Sequence, residues 1–262
     1  MDSSNSEPRK SDRKLQATLL LAYTDKGKEI LETEFNEWYD EEHVPRLFNF
    51  PGCSNASRYR AIDAKYPPWA ALYCLDSPEI LASQEWSELP NQASDNEKFI
   101  LETIPVVTWS IYTLFHRSCN GFIPASTGAG KVICIVHLQL TRNPEAATSA
   151  HEQKKLEVDF IQWYRETAEQ GISATPGWVQ SKMYLRYHDH SGNDNSQLKT
   201  TPELKSTMTS GVLMIHEWDE RDDEMEFSKF EANFGGQVGI WEKENLCRVK
   251  RDTRILRLHK EW

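Results

Sequence analysis

The chain has 262 residues, with 40 acidic against 30 basic side chains, a net charge of −10, and 39% hydrophobic residues. That length holds two ordinary domains or one larger one, each able to bury a real core. The acidic balance argues against a nucleic-acid backbone or an anionic membrane surface as partner, since both need a basic footprint, and no apolar run approaches the ~18 residues of a membrane helix.

Residues 1–14 (MDSSNSEPRKSDRK) are polar and mixed in charge, lack the apolar core of a signal peptide, and read as a disordered tail. Residues 16–23 (QATLLLAY) form an apolar run of strand length. Residues 28–47 place Ile30, Leu31, Phe35, Trp38 and Tyr39 on a 3.6-residue period and predict one helix. Pro51-Gly52 punctuates a turn before a strand at 54–62. Tyr66-Pro67-Pro68 makes a loop, 69–75 the next strand, 78–104 a set of helical pieces, and 106–117 a long strand. The order β-α-β-β-α-β is the ferredoxin-like plan. A Gly-, Ser- and Pro-rich linker at 118–130 follows, and then the order recurs. Strands are predicted at 131–140, 177–188, 211–218 and 247–260, helices at 150–171 and 220–234, and a polar, mobile insertion at 189–209.

The recurrence is visible residue by residue. Shifted by 125 positions, residues 31–60 overlay 156–185 without a gap. Leu31, Glu32, Phe35, Trp38, Tyr39, Glu41, Pro51, Gly52 and Tyr59 meet identical residues, where roughly two identities are expected by chance. The domains are therefore drawn at 15–117 and 131–262. The expected class is α+β: two tandem ferredoxin-like units, each with one sheet face covered by helices, packed sheet to sheet as an intramolecular α/β barrel. Five widely spaced cysteines without a CxxC pair read as free thiols in a reducing cytoplasm, and Asn55-Ala-Ser is discounted as a glycosylation site.

The segment 34–63, with its WY-x-x-x-H-x-P word before PG, followed by 69–81, resembles the EthD-type branch of the dimeric α/β-barrel superfamily. The second copy keeps WY and PG but not the His-x-Pro. Family members are typically single units that dimerise, so the chain resembles a tandem fusion: a monomer with an internal pseudo-dimer, or a homodimer. The resemblance implies a small enclosed pocket, a small hydrophobic or aromatic substrate, and chemistry without a metal or organic cofactor. Relatives include polyketide cyclases, aromatic-acid decarboxylases, lactone isomerases and cofactor-free monooxygenases, so the fold does not choose the reaction.

His43 leads the catalytic candidates. On a regular helix it extends the Phe35–Tyr39 stripe and faces the space below, where an imidazole can exchange a proton near neutral pH. Asp40, one turn back, is the expected orienting carboxylate. The plainer alternative is a helix-end histidine offsetting the dipole, with Asp40 solvated. His43 is Ala168 in the second copy and Asp40 is Arg165. Trp38 and Tyr39 recur, which favours packing, although both can line a substrate site, as can Tyr59. Arg58 and Arg60 stand where the second copy has Met183 and Leu185; one can grip a carboxylate or phenolate, or both can face solvent. His137 and His216 read as buried strand histidines. His188 and His190 lack a third metal ligand. Residues 126–131 imitate a phosphate loop but precede a strand, and no GxGxxG follows one. The sequence thus predicts a cofactor-independent decarboxylase, cyclase or isomerase acting by proton transfer, with a cofactor-free monooxygenase or a non-catalytic hydrophobic-ligand binder as alternatives.

Overall fold

The computed structural model describes residues 18–119, 130–142, 149–187, 211–219 and 227–262, with 227–233 as backbone only. The expected tail, the insertion and most of the expected linker fall outside these residues. So do His188, His190 and most of the 126–131 segment.

Eight antiparallel strands close into one barrel: β1 (Thr18–Asp25), β2 (Cys53–Ala61), β3 (Trp69–Leu75), β4 (Val106–Cys119), β5 (Val132–Arg142), β6 (Trp178–Arg186), β7 (Val212–Trp218) and β8 (Cys247–Glu261). Their order around the barrel is β1-β3-β2-β8-β5-β7-β6-β4. The two runs of four meet at β2–β8 and β4–β6. Closure leaves no open sheet edge. The class is mixed α/β, with helices on the outside.

Strand alternation fills two layers at once. Leu19, Leu21 and Tyr23 of β1 point into the barrel, where they meet Tyr59, Leu72, Tyr112, Ile135, Leu213 and Leu256. Leu20 and Ala22 point outward beneath the helices. Both faces are buried, which is why β1 reads as an uninterrupted apolar run. The first outer layer lies under α1 (Glu32–Trp38), α2 (Val44–Phe48), α3 (Gln84–Glu88) and α4 (Asp95–Thr103). The second lies under α5 (Ala150–Thr167), α6 (Glu169–Ser173) and α7 (Phe227–Asn245). Pro-Gly recurs because both turns need a left-handed residue: Gly52 has φ +92° and Gly177 φ +78°.

Three elements differ from the sequence expectation. Strand β4 continues to Cys119, into the expected linker, because it pairs with β6 as far as Gln180. Helix α7 runs on to Asn245 through three glycines, since Phe234, Val238 and Trp241 keep a buried stripe. The third difference is the single helix expected at 28–47. It is α1, then a π-helical turn at Tyr39–His43, then α2.

Candidate active site

The π turn sets the geometry. The Val44 amide donates to the Tyr39 carbonyl, five residues back. At the equivalent place in α5 the Ala168 amide donates to Tyr164, four back. The copy that carries His43 thus closes a wider turn over the same number of residues. It turns Trp38, Tyr39 and His43 together toward the sheet: the His43 ring lies 4.8 Å from the Trp38 ring and 5.0 Å from that of Tyr39.

It also changes the partner of His43, which is not Asp40. The imidazole Nδ1–H donates to the fully buried Glu97 carboxylate of α4 at 2.9 Å. Arg46 of α2 donates to the same oxygen and, at 2.6 Å, to the Leu89 carbonyl. Glu97 is held in place because Ser94 caps α4, accepting from the Glu97 amide at 3.0 Å. Ser94 and Asn96 both reach back to Glu42 in the π turn, locking the two elements together. Burial pushes the Glu97 carboxyl upward, but the His43 and Arg46 contacts outweigh it and hold the group below its ordinary value. An ionised acceptor at Nδ1 places the proton there and leaves Nε2 as the free lone pair.

Asp40 turns the other way, toward Arg58. The Arg58 side chain leaves β2 on its outer face and is wholly buried. Its Cζ sits 3.9 Å from the Trp69 ring centroid, 4.2 Å from that of Tyr39 and 5.0 Å from that of Phe35. An Asp40 oxygen is 3.5 Å from Nη1, yet none of the three guanidinium nitrogens makes a hydrogen bond among the described residues. Burial lowers the Arg58 pKa, opposed by Tyr39 and Asp40. The solvent-facing alternative therefore fits Arg60, which is paired with Glu32 at 3.3 Å, and not Arg58. Tyr59 is one residue away and points into the barrel, where its hydroxyl donates to the Gly130 carbonyl at 3.1 Å. Strand alternation separates it from the other candidates.

The site is not confined to the first copy. The end of β8, from the far end of the chain, lies against β2. Lys260 approaches Asp40 at 3.3 Å and His259 at 4.0 Å, while the His259 ring stands edge-on to Trp69 at 5.0 Å. The Trp262 amide donates to the Ala56 carbonyl at 2.9 Å. Glu97, Arg46, Trp69, His259 and Lys260 carry no sequence mark of these roles. Ser94-x-x-Glu97 signals a helix start only.

The second copy builds something different on the same frame. Trp178 donates to the Ser181 hydroxyl at 3.1 Å, Ser181 lies 2.7 Å from His216 Nδ1, and the Tyr164 hydroxyl lies 3.4 Å from Nε2. Burial lowers the His216 pKa to about 3, so its ring is neutral. That network is closed. By contrast, the buried side-chain N and O atoms without a hydrogen bond among the described residues cluster in the first copy. Apart from those of His116 and Thr253, they belong to Glu32, Asn36, Trp38, Asp40, Arg46, Arg58 and Glu97. Buried polar atoms are normally paired, so a cluster of exceptions marks a place built for something besides stability. Among the described residues no three His, Cys, Asp or Glu side chains gather as metal ligands, and no helix is long and apolar enough to cross a membrane.

No family model matches the sequence, and no curated protein does. Solved structures do share its fold. An anthrone oxidase-like protein aligns over 95% of this chain and 94% of its own, with a TM-score of 0.53 and 10% identity. A protein of Fusobacterium nucleatum subsp. nucleatum, provisionally assigned as a monooxygenase, aligns over 94% of each chain with a TM-score of 0.51 and 10% identity. At such identities the likeness establishes a common fold and leaves the chemistry to the site.

Proposed function

We propose that the protein is a small-molecule enzyme, a tandem EthD-type member of the dimeric α/β-barrel superfamily, that moves a proton at an activated carbon of an aromatic or polyketide-like substrate without a cofactor. The observation that carries this reading is the His43–Glu97 dyad at 2.9 Å. A buried carboxylate fixes the tautomer and supports the imidazolium that forms when Nε2 takes the proton. The C–H electron pair stays on the substrate and spreads into its carbonyl groups. General base help of this kind supplies about 10²–10⁴-fold.

Cyclisation and isomerisation remain open to such a carbanion, and decarboxylation runs the transfer in reverse, with the imidazolium protonating the carbon that loses CO2. Reaction with O2 is open too: a C–O bond forms, and the resulting peroxide takes up a proton and loses water to leave a carbonyl. The likeness to the anthrone oxidase-like protein favours the oxidative branch and brings the cofactor-free monooxygenase forward as the second reading.

The test is turnover of a panel of anthrones and hydroxylated aromatic acids, under air and under argon, by wild type and His43→Gln. The expected result is consumption by wild type that falls about 100-fold or more in the variant, with dependence on air marking the oxidative branch. Equal turnover by the two proteins would remove His43 from the mechanism, and no turnover of any compound would favour the ligand-binding alternative.

A further inference from the structure

Resting on the reading that the first copy holds the substrate site, we infer that this site takes a small aromatic monoanion whose carboxylate or enolate oxygens seat on the Arg58 guanidinium. Three observations converge. Arg58 is 0% exposed, and among the described residues none of its nitrogens is hydrogen-bonded. The Trp69, Tyr39 and Phe35 rings pack on its guanidinium, whose planar N–H fork matches two oxygens of one planar anion. The frame itself does not require a cation here, because the second copy holds Met183 at the same place, equally buried.

The local charge points the same way. Arg58 and Lys260 share a single nearby carboxylate, Asp40, whose Oδ1 atom is itself without a hydrogen bond. Lys260 has only Glu41 besides, at 3.9 Å, and Arg60 is already paired with Glu32. An arriving anion satisfies Arg58 and releases Asp40 to Lys260 and His259. The buried Tyr73 hydroxyl, which is hydrogen-bonded to Tyr39 and within electrostatic range of Arg58, can turn to a second ligand oxygen. The Tyr39 ring touches both Arg58 and His43, so an anion seated on Arg58 holds the rest of a small aromatic beside the dyad.

The test is calorimetric titration of the full chain with benzoate and with its neutral isostere benzamide. Wild type is expected to prefer benzoate by about 30-fold or more. Arg58→Met is expected to lose that preference while melting at or above the wild-type temperature, because it removes an unsatisfied buried charge. Arg58→Lys is expected to keep part of the preference, and Asp40→Asn to tighten benzoate several-fold by removing the competing carboxylate. Benzoate bound no better than benzamide by wild type would overturn the inference. So would an Arg58→Met protein that binds benzoate normally. His43→Gln separates this inference from the catalytic reading: it is expected to bind benzoate like wild type while losing turnover. If turnover depends on His43 and benzoate shows no preference, only the anion seat falls. If benzoate seats on Arg58 and turnover ignores His43, only the proton transfer falls.

Discussion

Glu97 is the residue on which the proposed chemistry turns, because it holds both His43 and Arg46 from within the protein. Glu97→Gln leaves Arg46 without its counter-charge. The loss is expected to stay below the ~3–5 kcal/mol of a fully buried pair, since both partners keep some exposure. Its pH dependence follows from the lowered carboxyl pKa. The unfolded chain takes up a proton at a higher pH than the folded one, so the contribution is complete above about 4.5 and is lost as pH falls through the lower folded value. Urea denaturation of wild type and Glu97→Gln should show a gap at pH 6 that narrows below pH 4. A gap of constant size would mean that folding does not shift the Glu97 carboxyl. The same substitution should lower kcat about 10–100-fold with KM little changed, since an uncharged amide still orients the ring but stabilises imidazolium poorly.

At the scale of elements, the π turn decides which groups meet. Its effect explains why the site was only partly legible in the sequence. The stripe Phe35, Tyr39, His43 was visible under a regular 3.6 period, and it correctly brings all three residues to the buried side. The partner of His43 was not, because the wider π turn rotates Asp40 toward Arg58 and opens His43 to α4. Propensity gives no warning of such a turn. Deleting Glu41, whose side chain is 80% exposed, should restore regular helix across 39–43. The variant is expected to keep the wild-type far-UV spectrum and to lose turnover about as completely as His43→Gln. Retained turnover would show that the turn does not set the catalytic geometry. The contribution of β8 was hidden for another reason: Lys260 and Asp40 are 220 positions apart in the sequence, and only closure of the barrel joins them.

Across the whole molecule, the repeat was the most legible feature. It pointed to an α+β chain forming an intramolecular barrel; the structure shows a closed eight-stranded barrel of mixed α/β class, in which WY and PG each keep one structural task in both copies. The copies diverge where the outer layer of the first is left unsatisfied and that of the second is closed around His216. A second buried histidine, His137, stands 2.9 Å from the Tyr23 hydroxyl inside the barrel, and burial together with Arg254 lowers its pKa to about 3. Both histidines are neutral when folded and titrate near 6.5 when unfolded. Stability is therefore expected to fall as pH drops from 6.5 toward 3, by about 1.4 kcal/mol per pH unit for each histidine. Equilibrium unfolding at pH 7.0 and 5.5 should show this slope, and His216→Gln should remove about half of it. An unchanged slope in that variant would mean that burial does not lower the His216 pKa.

The most direct test of the central claim is hydrogen exchange at the activated carbon of an anthrone, followed by NMR in D2O under argon. It reads proton abstraction itself, whatever product follows. Wild type is predicted to speed deuterium entry well above the buffer rate, Glu97→Gln to do so less, and His43→Gln to match buffer alone. Exchange by His43→Gln at the wild-type rate would contradict the account.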